Sequence, residues 1–219
     1  MDQNIGQMME RLIRLIAIRF TAFLDRLLVR RRVDGVFFGP LLIDRGRGLL
    51  YDVERDLTWL QDTNYAKTAG RSSDGQLTWD NARAWVARLN YRGITKWRLP
   101  TALNPDGSGP CIGDNCRDSE LGHLVFTAFA RPSAGTRLIN WNPFSIYWSS
   151  TEASATEAFA FKMSGLKQGR LAKDPWAPDP ALGAAPPLAD VVLTWPVHDG
   201  DVAAGFFVRL LEAVLQLVR

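Results

Sequence analysis

Cysteine and histidine are scarce in this sequence. Its 219 residues include 2 Cys and 2 His. The histidines, His123 and His198, lie far apart, and neither forms a metal-ligand pair by spacing. The sequence also lacks the Ser/His/Asp spacing of a nucleophilic triad and a glycine-rich phosphate loop. We therefore predict no metal site and no catalytic residue, and we expect that the chain is not an enzyme.

The sequence also lacks a long uninterrupted apolar run. Near the N-terminus, Arg14, Arg19 and Asp25 interrupt every such run before the roughly 18 to 20 residues that a membrane-spanning helix needs. Arg30, Arg31 and Arg32 follow without a small-residue cleavage pattern, which argues against a cleavable signal peptide.

Most of the chain carries no excess of positive charge. The formal net charge is +3. Residues 1–32 hold seven arginines and three acidic residues, a net charge of +4, which leaves −1 for the rest. The remaining chain therefore shows no charge pattern that would favour binding to nucleic acid.

Both ends of the sequence have the pattern of apolar, amphipathic helices. Residues 5–29 and 203–218 each combine a broad apolar face with a narrow polar stripe. The apolar residues that we assign to assembly or membrane contact are Leu12, Ile16, Phe23, Leu27, Phe207, Leu210, Leu211 and Val214. The two helices could simply cover each other beside the domain. Because their apolar faces are wider than a two-helix contact uses, we expect contact with a protein partner or a second copy of the chain, with a membrane surface as the alternative.

A helix-turn-strand unit occupies the middle of the sequence. Residues 78–90 place Ala82, Trp85, Val86 and Leu89 on one helical face, with a threonine at the capping position. Gly93 can adopt a left-handed conformation beyond the helix. Residues 96–99 alternate between polar and apolar and predict a half-buried strand, which the proline at position 100 ends.

Other segments predict a small sheet and a second helix. Short apolar runs predict strands at 36–38 and 41–44, and a hairpin formed by 49–53 and 56–62. Three further strands, predicted to form a central antiparallel sheet, are 146–151, 158–163 and 191–197. Residues 171–187 contain five prolines and predict a long crossing loop.

The second helix is predicted over 119–129. Ser119 is its cap, and Gly122 permits a close approach of another backbone. We expect His123 on this helix to be a structural residue, the alternative being a ligand or an acid–base group.

The two cysteines share one loop. Cys111 and Cys116 are five positions apart in a segment rich in glycine and proline, so they can reach disulfide geometry. Two free thiols, or half of a metal site, are the alternatives. We predict the disulfide.

Four motifs resemble a known family. These are a Trp-x-x-Ala-x-x-Trp helix (79–85), Trp-Arg-Leu-Pro-Thr (97–101), Tyr-Trp-Ser-Ser-Thr-Glu (147–152) and Trp-Pro-Val-His-Asp-Gly-Asp (195–201). Together they resemble the C-terminal domain family of the Legionella collagen-like adhesin, over about residues 42–202. That family is similar in fold to C-type lectins and to formylglycine-generating enzymes.

The resemblance implies an α+β, C-type-lectin-like domain with a small antiparallel sheet and two helices. We place this domain at residues 35–202, between a basic amphipathic N-terminal helix (1–34) and an amphipathic C-terminal helix (203–219). The reactive cysteine pair of the formylglycine-generating relatives is not matched by the two cysteines here. The secreted context usual in the family, together with a disulfide, implies an extracytoplasmic protein, in the periplasm or at the cell surface.

Candidate ligand residues come from these motifs and the crossing loop. Glu152, Asp199 and Asp201 could form a weak calcium site, and Trp148 and Trp176 could be platforms for a carbohydrate. We expect a non-catalytic binding or structural module, an accessory subunit whose terminal helices mediate assembly into a larger, membrane-associated complex. The alternative is a secreted or surface carbohydrate-binding adhesin. A formylglycine-generating type of enzyme is the weakest alternative.

Overall fold

The computed structural model describes residues 32–33, 36–37, 41–133, 136–177 and 191–203. The chain divides after Pro40 into two units. In the first unit, strand β1 (Arg32–Val33) pairs antiparallel with β2 (Val36–Phe37). The helix predicted over 5–29 lies outside the described residues, as do the helix predicted beyond Ala203 and most of the predicted crossing loop.

A four-stranded antiparallel sheet opens the second unit. Its strands stand in the order β11-β5-β4-β3. Their bounds are β3 Leu42–Gly46, β4 Leu49–Asp52, β5 Leu57–Leu60 and β11 Val197–Asp199. In the central hairpin, Leu49 lies opposite Leu60 and Asp52 opposite Leu57, which confirms the predicted hairpin.

The turn between β3 and β4 requires glycine. Gly48 has a φ of +81°, and a Cβ added there would lie 2.2 Å from the Tyr91 hydroxyl oxygen. That hydroxyl donates to the Arg47 carbonyl at 2.8 Å. A side chain at position 48 would therefore be strained and would displace a tyrosine that closes this turn.

A five-stranded sheet forms the other layer, in the order β10-β7-β8-β9-β6. Its strands are β6 Gly113–Asp114, β7 Ile146–Glu152, β8 Glu157–Lys162, β9 Lys167–Ala172 and β10 Val192–Leu193. Strands β7, β8, β9 and β6 pair antiparallel, but β10 runs parallel to β7. The prediction that the central sheet is antiparallel throughout is therefore wrong at its β10 edge.

Within the described residues, three α-helices and one short 3-10 helix accompany the sheets. They are α1 Tyr65–Thr68, α2 Trp79–Ala87, α3 Glu120–Phe126 and the 3-10 helix Ala128–Ala130. Helix α3 is capped as predicted, since the Ser119 side chain accepts from the Gly122 amide. Thr78 also occupies the capping position of α2, but its side chain makes no capping hydrogen bond.

Two predicted strands differ from the structure. Arg98 forms a single bridge with Val197 instead of belonging to a strand over 96–99, because Lys96 has a φ of +66° and takes the chain out of the extended conformation. The segment 191–197 is divided at Pro196: β10 joins the five-stranded sheet and β11 joins the four-stranded sheet. A proline lacks the amide that a continuous ladder would need.

The hydrophobic core takes residues from both sheets and from α2. Its buried members are Leu49, Leu60, Ala66, Leu77, Trp79, Ala82, Val86, Leu89, Tyr91, Trp97, Leu99, Ile146, Trp148, Ala158, Ala160 and Val192. This shared core explains why one face of α2 is apolar, as the sequence pattern predicted.

Buried tryptophans also hydrogen-bond distant backbone. The indole N–H of Trp79 donates to the Ser149 carbonyl at 2.7 Å, and that of Trp148 donates to the Leu77 carbonyl at 2.8 Å. The indole N–H of Trp195 donates to the Leu60 carbonyl at 2.7 Å, which connects the segment before β11 to the end of β5. These indoles satisfy buried carbonyls while burying large apolar surfaces.

The second unit is therefore a mixed α+β fold with two sheets and few helices, as the sequence predicted in outline. In the described ranges, no helix is long and apolar enough to cross a membrane.

Candidate ligand-binding groove

The five side chains predicted to contact a ligand do not converge. Trp148 is fully buried and presents no ring face to a carbohydrate, so its assignment as a platform is corrected. Trp176 is half-buried and packs against the shared core. Each of the three acidic residues, Glu152, Asp199 and Asp201, pairs with a different basic residue.

Glu152 pairs with Lys173 at the end of β7. The Lys173 ammonium also donates to the Ala155 carbonyl at 3.0 Å and lies 4.6 Å from the centre of the Trp79 ring. The hydrogen bond from Lys173 lowers the pKa of Glu152, with the nearby positive charge acting in the same direction. This carboxylate therefore holds the β7–β8 turn to the segment that follows β9.

Asp201 pairs with Arg45 of β3. Both side chains are largely buried, with 13% of Asp201 and 8% of Arg45 exposed. The guanidinium lies 4.9 Å from the centre of the Tyr51 ring, on the adjacent strand. The pair fixes the segment after β11 to the opposite edge of the four-stranded sheet, on the side of the Tyr51 ring.

Arg98, in the Trp-Arg-Leu-Pro-Thr motif, is a junction between three segments. Its guanidinium donates to both carboxylate oxygens of Glu120 on α3, at 2.8 and 2.6 Å. It also donates twice to Asp199 on β11, at 3.0 and 2.6 Å. Glu120 in turn accepts from the Thr101 amide at 2.8 Å. The motif thus connects the start of α3 to β11.

The pKa of Arg98 reflects this arrangement. Burial by itself lowers the pKa of Arg98, but the hydrogen bonds that its guanidinium donates to Glu120 and Asp199 outweigh burial and place this pKa above its usual value. The guanidinium is therefore charged at every pH at which the fold is intact, and the junction is ionic.

A surface groove lies beside this junction. Its first compartment has a volume of about 420 Å³ and its second about 360 Å³. Arg55 and Asp118 line both compartments, so we treat the two as one groove. The first compartment is lined by Glu54, Arg55, Arg117, Asp118, His123 and Thr127. The second is lined by Arg55, Asp56, Leu57, Arg98, Leu103, Pro105, Asp118, Glu120, Asp199 and Gly200.

His123 stands in the wall of the first compartment. Its side chain is 5% exposed, and its Nε2 lies 3.4 Å from Asp52 Oδ1 and 3.7 Å from Glu54 Oε2. Nε2 makes no hydrogen bond within the described residues, and neither does Asp52 Oδ2. The ring is therefore buried as a structural residue would be, and its Nε2 lies against the carboxylates of Asp52 and Glu54.

The disulfide holds the loop that continues into the groove wall. Cys111 and Cys116 are bonded, as predicted, with their Cα atoms 5.5 Å apart. The buried amide of Gln168 donates to the Cys111 carbonyl at 2.8 Å and to the Ala102 carbonyl at 3.0 Å. Leu103 and Pro105, which line the second compartment, lie in the loop between these anchors.

The groove was not predicted, although two of its residues, His123 and Asp199, were singled out. Its lining comes from the β4–β5 turn, the disulfide loop, α3 and the end of β11, which are distant in sequence. The local signal was a run of charged residues at 54–56, which is also typical of an ordinary exposed turn.

Metal binding has no support in the part of the chain that the structure describes, where no three His, Cys, Asp or Glu residues are grouped to hold an ion. Comparison with family models, with curated proteins and with solved structures finds no match to this chain.

Proposed function

We propose that the chain is a non-catalytic binding and structural module whose terminal segments mediate assembly into a larger, membrane-associated complex. The observation that carries the proposal is that charged residues of the motifs form ion pairs with residues distant in sequence. Arg98 bonds Glu120 and Asp199, Arg45 bonds Asp201, and Lys173 bonds Glu152. These pairs position loops, and the Arg98 junction lines a charged groove, which is an arrangement suited to recognition.

The fold is proposed to be C-type-lectin-like, in the family of the Legionella adhesin C-terminal domain. Support comes from the positions of the motif residues. Trp79, Trp97, Trp148 and Trp195 are all buried, and Arg98 is the junction described above. Three of the four motifs therefore contribute a tryptophan to the shared core, and the fourth motif is buried through Trp195, which packs against Trp59.

The assembly part of the proposal rests on the sequence of the ends. The apolar residues assigned there, such as Leu12 and Leu210, lie outside the described residues. Removing one leucine-sized side chain from water is worth roughly 1.5 to 3 kcal/mol. Several such residues on each segment would make association strongly favourable even after its entropic cost.

The compartment is proposed to be extracytoplasmic. The bond between Cys111 and Cys116 supports this, because disulfides persist mainly in oxidising compartments. An accessory subunit in the periplasm or at the cell surface would combine such a bond with apolar segments that contact a membrane protein or a lipid surface.

The experiment compares two double variants of the full chain. Leu12→Glu/Ile16→Glu places two charges on the predicted apolar face, and Gln7→Glu/Thr21→Glu places the same two charges on the predicted polar stripe. We expect the first variant to leave the membrane-associated fraction and the second to stay in it, measured by fractionation and immunoblotting. High salt should not release the parent protein if protein contacts dominate, and should release it if lipid electrostatics dominate.

Two results would contradict the assembly proposal. One is that both double variants stay in the original fraction. The other is that both leave it equally, which would mean that added charge, whatever its position, is responsible. Circular dichroism of each purified variant checks that the described fold is kept.

A further inference from the structure

The five-stranded sheet has one edge that its own strands cover only in part. Strand β9 pairs with β8 along its whole length, from Lys167 to Ala172. On its other side it pairs with β6 only at Lys167 and Gln168. Within the described residues, the stretch from Gly169 to Ala172 therefore has no neighbouring strand on that side. An open edge of this kind presents backbone groups that can pair with another strand.

The hydrogen-bond pattern shows which residues of β9 direct their backbone outward. Lys173, one residue beyond the strand, donates its amide to the Thr156 carbonyl on the β8 side at 2.9 Å. Because successive residues of a strand direct their N–H and C=O groups to opposite sides, Leu171 also faces β8, whereas Arg170 and Ala172 face away. Both of these are exposed, and neither has a backbone partner on the outward side within the described residues. Their amides and carbonyls are thus open to an incoming strand.

The side chains along this edge have a pattern of their own. Ala172 lies opposite Glu157 of β8, and Arg170 lies opposite Phe159. Directly opposed residues, and residues two apart, share a face of the sheet, so Glu157, Ala172 and Arg170 lie on one face. Leu171 lies on the other face and packs, half-buried, against the shared core. The edge therefore offers an incoming strand a cation, an anion behind a small side chain, and an apolar contact.

Other charges near the edge are already paired. Lys167 lies 3.3 Å from Asp114, at the end of β9 that β6 covers. Lys173 pairs with Glu152, at the opposite end. By contrast, the arginine and the glutamate of the open stretch form no ion pair within the described residues.

A second copy of the same edge fits these features. In an antiparallel pair with the two Leu171 residues opposite each other, each Arg170 lies opposite the other copy's Ala172, and the two residues exchange both backbone hydrogen bonds. Arg170 can then extend across the small alanine toward Glu157 of the other copy, whose backbone is about 10 Å away, or two strand spacings. A register with Arg170 opposite Arg170 would oppose like charges and is unfavourable. The edge is therefore complementary to itself.

We propose that the chain pairs with a second copy of itself through the open edge of β9, which extends the five-stranded sheet across a twofold axis. The backbone of Arg170 and Ala172 forms the contact, and ion pairs between Arg170 and Glu157 flank it. The contact uses no residue of the terminal segments, so it stands or falls separately from their role in assembly. Because the contact is small, self-association is weak and depends on protein concentration.

The test is sedimentation velocity of the full chain in mild detergent over a range of concentrations. Arg170→Glu and Glu157→Arg should each weaken self-association by about five- to tenfold, since symmetry changes both ion pairs at once. The double variant Arg170→Glu/Glu157→Arg exchanges the charges and should restore association to that of the parent. Arg137→Glu, at an exposed arginine beside β5, is the matched control and should leave association unchanged.

A further variant tests the backbone part of the contact. Ala172→Pro removes an amide that points away from β8 and leaves the β8–β9 ladder intact, which edge strands tolerate. We expect this variant to sediment as a monomer at the concentrations at which the parent self-associates. Unchanged thermal unfolding of every variant shows that the change does not come from misfolding.

Several results would overturn the proposal. One is a parent chain that sediments as a monomer at every concentration. Another is association that Arg170→Glu and Arg137→Glu weaken equally, that the exchange of charges does not restore, or that Ala172→Pro leaves unchanged. Association that survives in all the β9 variants and is lost in Leu12→Glu/Ile16→Glu would assign it to the terminal segments instead.

Discussion

Gly122 is the residue at which α3 comes nearest to the disulfide loop. A Cβ added at this position would lie 1.8 Å from the Cys116 carbonyl oxygen, which is backbone and cannot rotate away. The sequence predicted a close approach at this glycine, and the prediction is confirmed. What the sequence could not supply is the partner, because contact between Gly122 and Cys116 depends on how the loop folds back on the helix.

Gly122→Ala is therefore expected to destabilise the protein, although alanine is the better helix former by about 1 kcal/mol. Either the loop or the helix must shift, which typically costs about 1 to 3 kcal/mol. Urea unfolding followed by tryptophan fluorescence measures the change.

Gly169→Ala serves as the control for that substitution. A Cβ at position 169 has no atom within 4 Å. Its effect on the free energy of unfolding should be small. A Gly122→Ala protein as stable as the parent would contradict the close contact.

At the scale of the elements, Arg98 joins its own motif to α3 and β11. Arg98→Met leaves Glu120, which is 13% exposed, without its ionic partner. We expect a loss of about 2 to 4 kcal/mol, because one partner of a largely buried pair is left uncompensated. Arg88→Met, at the end of α2, removes an exposed arginine for comparison and should change stability by less than about 0.5 kcal/mol.

A double-mutant cycle with Glu120→Gln tests whether the effect comes from the pair. The two losses should be less than additive, since the second substitution removes the buried charge that the first left unpaired. Strict additivity would show that Arg98 and Glu120 act independently, and would remove the main support for a junction between the motif and α3.

The elements that the sequence predicted well are those with a clear apolar pattern. Helices α2 and α3 have a helical period of apolar residues, and β4, β7 and β8 are short apolar runs. Strand β9 was missed because Lys167–Ala172 is mostly polar. This segment forms a strand because it pairs with β8, from Lys162 opposite Lys167 to Glu157 opposite Ala172. Its own sequence has no strand-like apolar pattern.

The division of 191–197 between two sheets was also beyond local reasoning. Val192 and Leu193 pair beside Ile146 and Tyr147, and Val197 pairs with Trp59. Each short run fits either sheet by composition. Only the position of Pro196 between them indicated a break, and that signal equally suits the end of a single strand.

For the molecule as a whole, the groove is built from described residues, whereas the terminal segments lie almost entirely outside them. The charged lining of the groove comes from loops that Arg98 and the disulfide position. The terminal segments carry the apolar sequence patterns from which assembly is inferred. We propose that these segments determine where the protein resides.

The central claim, that the chain is a subunit of a larger membrane-associated assembly, is tested most directly by the mass of the intact protein. The full-length chain, tagged and extracted from its source membranes in mild detergent, is measured by native mass spectrometry. The account predicts a particle much heavier than the 24.5 kDa of one chain, containing a partner or further copies. Recovery of the protein as a 24.5 kDa monomer in the soluble fraction would contradict it.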